Sequence, residues 1–384
     1  MSARSLALAA SRAGYRPFVV DLFGDTDTRR LAAASTTVPG DLGQGFEAAA
    51  LIAAAERLAP AGHDRCGLVY GSGLEAAPDL LEALSRGRRL WGNTPAVLKD
   101  IKDPVAFFSL LDRLGLPHPE LATTPPQAPE DWLVKRVGAS GGSHVRPLAP
   151  GDDAAAGCYF QRRIAGRPVS ALFAANGRDA SLLGWSEQWA LPDAGQPFRF
   201  GGAVQPAIID AGIVRQVDAA LPQLAAATGL VGLNSIDMMV AEDGTFGVLE
   251  INPRPGASLD VFDGEGESAL FRLHVACCEG RPLPYWRPPV RATAMTVVYA
   301  DRPLNVPASV DWPDWLADRP APGAHIHPSA PVCTVMAEAA GAAEARRLAM
   351  DRNLGVLAAL ASGDMTLLRE PEAWSKSKAI AGAG

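Results

Sequence analysis

Two acidic residues and an asparagine are spaced so that a β-hairpin would bring their side chains together. Asp237 lies in one apolar run, and Glu250 and Asn252 lie in the next. The dipeptide Asp243-Gly244 between the two runs is typical of a two-residue type I′ turn, which predicts a hairpin. Since side chains alternate along a strand, the predicted hairpin places all three polar side chains on one face.

The predicted turn also determines which residues of the hairpin face one another. The expected pairs are Glu242 with Thr245, Ala241 with Phe246, Met239 with Val248, and Asp237 with Glu250. Like charges directly opposite each other, with Cβ atoms roughly 5 Å apart, are destabilising unless a third group compensates them. Carboxylate and amide oxygens suit a hard cation such as Mg²⁺, which also binds phosphates. The pattern therefore predicts a metal site, and the alternative is an ordinary hairpin with one acid exposed and the other paired to a lysine.

A second candidate region combines a lysine with glycine-rich backbone. Lys135 lies in the apolar run W-L-V-K-R-V, and Gly138-Ala-Ser-Gly-Gly-Ser-His144 follows it. Glycine backbone can approach phosphate oxygens closely and point N–H groups at them. The segment matches neither G-x-G-x-x-G nor a Walker A motif, and no helix follows it. We therefore interpret it as a β-hairpin with a flexible glycine tip.

Helices and strands alternate before this region. The pattern predicts a helix over residues 3–14, a strand over 16–21, a second strand followed by a glycine turn over 67–73, and an alanine-rich helix around 46–58,. Alternation of this kind predicts a parallel, Rossmann-like unit. Another helix is delimited by Asp103 as N-cap, Pro104 at the first helical position and Gly115 as the stop signal,. The acidic segment at 21–29 is either a substrate-binding cluster or a set of solvated turn residues.

The second half of the chain predicts further sheet and a domain boundary. Strands are expected at 169–174, 181–187, 292–299 and 332–337, and helices around 212–228, 267–278 and 342–360,. The segment at 198–202 is expected to be a mobile connection, and the tail from Ser375 is expected to be disordered. Because the sequence becomes rich in proline at 282–289, we predict domains at 1–93, 94–281 and 282–384,. The middle domain divides into a lid-bearing part, 94–157, and a metal-bearing part, 158–281.

The length, composition and charge of the chain exclude several classes of protein. With 384 residues, 48% of them hydrophobic, the chain can form two or three globular domains,. A formal net charge of −7 argues against nucleic acid as a partner,. No apolar stretch approaches the roughly 20 residues of a membrane helix, and the opening residues do not read as a signal peptide, so we expect a cytoplasmic protein. The five cysteines form no C-x-x-C pair, which indicates neither a disulfide framework nor a zinc site,.

Over roughly residues 15–280, the motifs and their order resemble the ATP-grasp superfamily of carboxylate–amine ligases. The matching features are a lysine before a helix that closes with G-L-P, V-K with a glycine hairpin, the hinge-like C-Y-F-Q-R-R-I, and an aspartate one hairpin before E-I-N-P-R. This resemblance implies a mixed α/β and α+β fold. Its parts would be a Rossmann-like pre-ATP-grasp domain, the ATP-grasp domain and a small C-terminal α+β domain. Relatives would carry a strand before the first helix, so we expect the chain to be shortened there or to start upstream.

The resemblance also implies cofactors and roles for individual residues. ATP and Mg²⁺, or Mn²⁺, are the implied cofactors, with the metal held by Asp237, Glu250 and Asn252. Arg254 would stabilise the transferring phosphoryl group and the acyl phosphate. Contacts to the nucleotide would come from Lys102, with Lys99 as the alternative, and from Lys135, Gly141, Gly142, Ser143, Gln161, Arg162 and Ile164. Gln161 stands where the family often has an acid, which leaves its role open.

By this resemblance the expected reaction joins a carboxylate to an amine through an acyl phosphate, with release of ADP and phosphate. The opening segments S-A-R-S-L-A, A-G-Y and D-L-F-G-D-T-D and the late segment D-W-L-A-D-R-P-A-P-G resemble a subgroup of ATP-grasp proteins found in methanogens and methylotrophs. Some relatives there attach glutamate during methanofuran or tetrahydromethanopterin synthesis. Expected partners are small carboxylate and amine substrates, with no nucleic acid or membrane, and a homodimer is left open. The alternatives are a biotin-carboxylase-like carboxylation, although the chain carries no biotinyl domain, and a non-catalytic ATP-binding sensor.

Overall fold

The fold combines a small parallel α/β unit, a four-stranded sheet and a long antiparallel sheet of eight strands. A computed structural model describes residues 2–62, 66–152, 156–264, 266 and 269–368. The predicted mixture of α/β and α+β architecture is confirmed.

The N-terminal unit alternates short helices and strands. Its elements are α1 (Arg4–Arg12), β1 (Phe18–Asp21), α2 (Thr26–Leu31), β2 (Ala34–Thr37), β3 (Gly40–Asp41), β4 (Gly45–Phe46), α3 (Ala48–Leu58), β5 (Gly67–Leu68), α4 (Pro78–Ser85) and β6 (Arg89–Leu90). β1 pairs with β2, and β5 pairs with β6, both in parallel. The predicted parallel sheet is thus present as two separate pairs. The strand and glycine turn expected over 67–73 are both present, as the two-residue strand β5 and a turn at 72–73.

The acidic segment at 21–29 stabilises local structure, which corrects both expectations for it. Asp21 accepts hydrogen bonds from the amides of Phe23 and Gly24. Asp25 caps α2, since its carboxylate accepts from the amide and the hydroxyl of Thr28. These carboxylates are buried and already paired, so they are neither a substrate cluster nor solvated turn residues.

Two helices and a four-stranded sheet form the next part of the chain. The elements are α5 (Pro95–Lys102), α6 (Pro104–Leu114), β7 (Leu121–Ala122), β8 (Trp132–Arg136), β9 (Arg146–Pro147) and β10 (Cys158–Arg162). Asp103 caps α6 as predicted, and Gly115 ends it in the left-handed conformation with φ 65°. Lys102, however, does not stand in a loop before a single helix. It is the last residue of α5, which begins with its own cap, Thr94.

The four strands of this sheet are ordered β7-β10-β8-β9. β8 and β9 form an antiparallel hairpin, and the glycine-rich segment 138–144 connects them. This confirms the predicted hairpin with a glycine tip, although the return strand begins at Arg146 rather than at Val145.

The rest of the chain builds the long sheet and the helices that cover it. The elements are β11 (Arg167–Asn176), β12 (Ala180–Ala190), β13 (Phe200–Gln205), α7 (Ala211–Thr228), β14 (Val231–Val240), β15 (Phe246–Asn252), α8 (Leu259–Phe262), α9 (Leu270–Cys278), β16 (Ala292–Tyr299), β17 (Leu304–Asn305), β18 (Leu316–Ala317), β19 (His325–Ile326), β20 (Pro331–Ala339), α10 (Ala342–Ser362) and a 3₁₀ helix (Met365–Leu368). The order in the sheet is β15-β14-β11-β12-β13-β16-β20-β18. Residues 267–268, where a helix was expected to begin, and the tail from Ser375 lie outside the described residues.

Strand β13 corrects the expectation of a mobile connection at 198–202. Its two glycines weaken the strand pattern in the sequence, because they supply no side chain. The structure explains them by close packing. A Cβ at Gly201 would meet Leu191, and a Cβ at Gly202 would overlap the ring of Trp189 and the carbonyl of Met295.

Three apolar clusters hold the layers together. Helices α6 and α7 pack on one face of the long sheet, with Phe107, Leu111, Val217 and Leu221 in the core. α1, α8 and α9 contribute to a second cluster, and α10 packs with β16 and β20 in a third. The predicted boundary near 281 lies between α9 and β16, yet the sheet continues across it because β13 pairs with β16. The domain division itself stays a prediction. Among the helices described, none is both long and apolar enough to cross a membrane.

Candidate functional site

The hairpin of β14 and β15 places Asp237 opposite Glu250, as predicted, but its turn differs from the prediction. The loop has three residues, 242–244, since the Ala241 amide donates to the Thr245 carbonyl at 2.8 Å. Gly244 has φ 83°, the left-handed conformation that follows a tight turn in this kind of loop,. A two-residue type I′ turn is therefore wrong here.

The longer loop shifts the register near the turn, and a β-bulge shifts it back. Val240 faces Phe246 and Met239 faces Gly247, so the predicted pairs of Ala241 with Phe246 and Met239 with Val248 are wrong. Between Asp237 and Met238 the register slips by one residue. The bulge restores the alignment of Asp237 with Glu250, so the predicted metal-ligand pair survives an error in the turn.

Asp237 accepts hydrogen bonds from three neighbouring side chains. The Ser170 hydroxyl donates to Oδ1 at 2.6 Å, and the Asn252 amide donates to Oδ2 at 2.8 Å. Gln188 Nε2 lies 3.4 Å from Oδ1. Burial, followed by the negative charge of Glu250, raises the pKa of Asp237. The two opposed carboxylates therefore repel each other when both are ionised, as expected for a site that binds a cation.

Glu250 is held on its other side by Lys102. The Lys102 ammonium donates to Oε2 at 3.3 Å from the end of α5, and its side chain is buried. Burial opposes ionisation of Glu250, but the charges of Lys102 and Lys135 outweigh it and lower the carboxyl pKa. Lys99, the alternative, is exposed and pairs with Asp79 at 2.8 Å. The structure thus brings Lys102, and not Lys99, to the carboxylates.

Lys135 and Gln161 form a buried pair beside these carboxylates. The Lys135 ammonium donates to Gln161 Oε1 at 2.8 Å, and Gln161 Nε2 donates to the Leu249 carbonyl at 3.3 Å. Burial lowers the pKa of Lys135. The hydrogen-bond partner of Lys135 is thus an amide and not a carboxylate. An anion that enters the site can therefore still bind the Lys135 amino group.

The glycine loop lies against two other parts of the molecule. The Phe200 amide donates to the Gly141 carbonyl at 2.9 Å, and a Cβ at Gly142 would overlap the Phe198 carbonyl. A Cβ at Gly138 would meet the backbone of residues 75–76. The glycines are therefore required by close backbone approach, as well as by the positive φ of 78° at Gly141 and 74° at Gly142,. Ser143 follows on the same loop.

Arg254 forms a buried ion pair with Glu75 of the N-terminal unit. Arg254 Nε donates to Glu75 Oε1 at 2.6 Å, and the two side chains are 9% and 0% exposed. Arg254 Nη2 also donates to Asn252 Oδ1 at 3.3 Å, while the Gly73 amide donates to Glu75 Oε2 at 2.8 Å. Burial opposes ionisation of Glu75, but the charges of Arg254 and Lys102 lower its pKa. This pair joins the N-terminal unit to the end of the hairpin formed by β14 and β15.

The sequence did not single out Glu75 as a site residue. The only feature of the sequence that points to Glu75 is its position. It lies two residues after G-S-G, beyond the end of a parallel strand, and ligands often bind at such ends,. Ser170 was missed as well, although it lies in a predicted strand and faces Asp237 across β11 and β14. His144 lies inside the quoted glycine segment. Its buried Nδ1 has no hydrogen-bond partner in the described part of the chain, and burial lowers its pKa to about 4.

The hinge residues occupy the border of this cluster. The Arg162 amide donates to the Glu120 carbonyl at 2.9 Å, and its exposed side chain lies 3.7 Å from the Glu120 carboxylate. Ile164 fills the space beside Gly247, where a Cβ would overlap its methyl group. Only Gln161 of the three hinge candidates contacts a site lysine. The nucleotide contacts of Arg162 and Ile164 stay predictions.

The donor set fits a hard divalent cation. Asp237, Glu250 and Asn252 supply only oxygen ligands from adjacent strands, and the two carboxylates face each other directly. Within the described ranges no group of three or more His, Cys, Asp or Glu side chains is arranged around a possible metal position. Two carboxylates and an amide match Mg²⁺, which typically takes few protein ligands and keeps waters and substrate phosphates.

Comparison with known proteins agrees with this geometry. The family model for the ATP-grasp domain, ATP-grasp_3, matches residues 101–258. A crystal structure of a biotin carboxylase–β,γ-ATP complex from Campylobacter jejuni is similar, with TM-score 0.67 and 14% identity over 91% of this chain and 88% of that one. The N5-carboxyaminoimidazole ribonucleotide synthetase of Thermotoga maritima gives TM-score 0.61 and 15% identity over 91% and 94% of the two chains.

A third solved structure, N5-carboxyaminoimidazole synthetase from Staphylococcus aureus complexed with ADP, gives TM-score 0.61 and 14% identity over 91% of this chain and 93% of that one. At such identities the likeness establishes the fold. No curated protein sequence matches the chain. The matched residues contain Lys102, Lys135, Asp237, Glu250, Asn252 and Arg254. Residues 101–258 therefore match the ATP-grasp domain family, and the chain shares its fold with the ATP-grasp-like solved structures named above.

Proposed function

We propose that the protein is an ATP-dependent ligase that joins a carboxylate to an amine through an acyl phosphate and releases ADP and phosphate. The observation that carries this proposal is the convergence of three buried cations on one pair of opposed carboxylates. Lys102, Lys135 and Arg254 come from three different parts of the chain. Lys102 contacts Glu250 directly, the charge of Lys135 also lowers the pKa of Glu250, and the charge of Arg254 opposes the rise in the pKa of Asp237. Such an arrangement suits phosphoryl transfer, in which catalysis consists of positioning and charge neutralisation.

The two lysines have distinct roles in this proposal. Lys135 binds phosphate oxygens, since its charge is buried and is held by an amide rather than by an acid. Lys102 already donates to Glu250, and its remaining N–H groups are directed to the phosphates that the same carboxylate helps to bind,. Asp237, Glu250 and Asn252 would hold Mg²⁺ or Mn²⁺, which neutralises phosphate charge when it is bound.

Arg254 stabilises the group in transfer. Glu75 and Asn252 fix its guanidinium at the end of β15, so little ordering is needed when charge develops,. A carboxylate oxygen of the substrate attacks the terminal phosphorus of ATP, which gives the acyl phosphate and ADP. The amine then attacks the acyl carbon, loses one proton and expels phosphate. No covalent bond to the protein is needed in either step.

For the substrates we propose an amino acid, with glutamate first, ligated during synthesis of a C1-carrier cofactor of the methanofuran or tetrahydromethanopterin type. The support is the resemblance of the flanking segments to the subgroup described above. These segments contact one another. Ser2 Oγ donates to Asp318 at 2.8 Å, Arg4 pairs with the same carboxylate at 2.9 Å, and the Thr26 amide donates to the Arg319 carbonyl at 2.9 Å. These contacts therefore support a fold shared with that subgroup more directly than they support a substrate shared with it.

A turnover screen tests the proposal. Purified protein is incubated with ATP, Mg²⁺, glutamate and either tyramine or tyrosine, and the screen is then extended to other amino acids and amines. We expect ADP and phosphate to form only when both a carboxylate and an amine are present. ATP binding without turnover over the whole screen would instead favour the non-catalytic sensor.

A second candidate is an ATP-dependent carboxylation with bicarbonate as the carboxylate. It is favoured by the similarity to proteins named biotin carboxylase and carboxyaminoimidazole ribonucleotide synthetase. Measuring ADP release with and without bicarbonate distinguishes the two candidates. Carboxylation predicts ADP release that depends on added bicarbonate and is lost in bicarbonate-free buffer, whereas ligation of an amino acid predicts the same rate in both.

A further inference from the structure

The tip of the glycine loop rests on the backbone that leads into β13. The Phe200 amide donates to the Gly141 carbonyl at 2.9 Å, and Gly142 lies so close to the Phe198 carbonyl that only glycine fits. The position of the loop, which follows the strand that contains Lys135, therefore depends on where the segment 198–200 is held. We call this segment the ledge.

One side chain, Arg199, ties the ledge to its surroundings. Arg199 Nε donates to the Leu191 carbonyl at 3.0 Å, and Nη1 lies 3.0 Å from the Asp193 carboxylate. Nη1 also lies 3.3 Å from the Ser329 carbonyl, and the guanidinium stacks 3.8 Å from the centre of the Tyr299 ring. The side chain is only 10% exposed, so these contacts leave it little access to a solvent anion.

The C-terminal part of the chain also holds the ledge. Tyr299 lies at the end of β16, and its hydroxyl donates to the Phe200 carbonyl at 2.9 Å. Ser329 belongs to the turn before β20. The glycine loop is thus connected to β16 and β20 through two consecutive residues of the ledge, Arg199 and Phe200.

We propose that Arg199 is a positioning residue that fixes the docked position of the glycine loop, and that it gives the C-terminal part of the chain a role in nucleotide binding. This inference rests on the proposed function, because it assumes that the loop covers a bound nucleotide. Arg199 does not touch the nucleotide. It acts through the ledge, so its loss weakens loop closure while Lys102, Lys135 and Arg254 stay in place.

The test is amide hydrogen exchange of the full-length protein with and without Mg²⁺ and β,γ-imido-ATP. In the unchanged protein the nucleotide should slow exchange in the segments 138–146 and 196–203. In R199Q this protection should fall by about tenfold, the effect of losing hydrogen bonds to a charged group. R199K should restore part of it. R302Q is the matched control, because Arg302 is an exposed arginine of the same region that pairs with its neighbour Asp301.

A purely structural role predicts a different pattern, in which exchange in β14 and β15 rises as well. Positioning predicts that those strands exchange as before and that the KM for ATP rises about tenfold with a smaller change in kcat. Equal nucleotide-dependent protection in folded R199Q and R302Q would overturn the inference. If R199Q does not fold, Y299F, which removes only the hydroxyl that holds Phe200, must lose part of the protection, or the inference fails.

A different exchange pattern is expected if the proposed function is wrong. In that case the unchanged protein shows no protection by nucleotide at all. Exchange without nucleotide still decides the role of Arg199, since the Phe200 amide bonded to Gly141 must exchange faster in R199Q than in R302Q. Equal rates of this amide in the two variants would contradict the positioning role.

Discussion

At the scale of single residues, the buried pair of Arg254 and Glu75 links stability to catalysis. The Glu75 carboxylate is fully buried and the Arg254 side chain is only 9% exposed, so removing one partner leaves the other as an isolated, mostly buried charge. For R254Q we expect the free energy of unfolding to fall by about 3 kcal/mol and kcat by about 10²- to 10³-fold. Urea unfolding and steady-state kinetics measure the two effects.

The double variant E75Q/R254Q provides the control for this pair. Because it contains neither charge, it should be more stable than the sum of the two single changes predicts. If the stability losses of the two single variants simply add up in the double variant, the two side chains are not energetically coupled. Turnover should stay low in the double variant, since Arg254 is absent from it.

The two lysines near the end of α5 give a second prediction at this scale. Lys102 is buried and donates to Glu250, whereas Lys99 is exposed and pairs with Asp79. K102Q should raise the KM for ATP by at least about tenfold, as expected for a lost charged hydrogen bond, and K99Q should leave it unchanged. Equal effects of the two substitutions would contradict the assignment of Lys102.

The three residues predicted to bind the metal show how much of the site the sequence predicts at the residue scale. Asp237, Glu250 and Asn252 were predictable because strand alternation and one hairpin place them together. Glu75 was not, because its contact with Arg254 joins residues separated by 179 positions and depends on how the N-terminal unit packs. Local patterns contain no information on such packing.

At the scale of elements, the glycine hairpin offers a matched pair of substitutions. Gly141 and Gly142 both have positive φ, so alanine strains either by about 1–2 kcal/mol,. Only at Gly142 would the new Cβ also overlap the Phe198 carbonyl, since Gly141 has open space. G142A should therefore raise the KM for ATP far more than G141A, as measured by steady-state kinetics. Similar KM values for the two variants would argue against docking of the loop on the ledge.

Elements were predicted best where a local signal marks both ends. α6 has a capping aspartate, a proline at its start and a left-handed glycine at its end, and its bounds agree with the prediction. β13 was missed because its glycines are explained by contacts with Trp189 and Met295, which the sequence does not display. The hairpin turn was misjudged because Asp-Gly suits both a two-residue loop and the end of a three-residue loop.

At the scale of the whole molecule, one sheet crosses the predicted boundary near 281. Residues of β13 pair with β16 from Gly202 with Thr296 to Gln205 with Thr293. This pairing joins distant segments, so local patterns do not predict it. A protein truncated after residue 281 should expose the edge of β13 and the apolar side chains that α10 and β16 cover, and it should aggregate,. A monomeric, cooperatively unfolding fragment in ultracentrifugation and urea unfolding would instead support an independent ATP-grasp unit.

The stability of the whole molecule should depend on pH through His274. Its ring accepts from the Leu233 amide at 3.0 Å and lies 3.0 Å from the Trp91 carbonyl, so it joins α9, β14 and the N-terminal unit. Burial lowers its pKa to about 4. Since the unfolded chain binds a proton near pH 6.5, stability present above that pH is lost as the pH falls towards 4, by up to about 3 kcal/mol.

Urea unfolding between pH 7.5 and 4.5 checks this expectation. H274N should show a smaller loss of stability with falling pH than the unchanged protein, whereas H327N, a substitution at an exposed histidine, should not differ from it. Some pH dependence will remain in H274N, because burial also lowers the pKa of His144. An unchanged pH slope in H274N would contradict the role of His274.

The most direct test of the ligase mechanism follows one oxygen atom. When a carboxylate is activated as an acyl phosphate, the amine later displaces a phosphate that has kept one oxygen of that carboxylate. Once the turnover screen has identified a carboxylate substrate, it is supplied with ¹⁸O in the carboxylate, and the released phosphate is examined by mass spectrometry or ³¹P NMR. The proposed mechanism predicts one ¹⁸O atom in the released phosphate for each amide formed. Amide formation with unlabelled phosphate would contradict it.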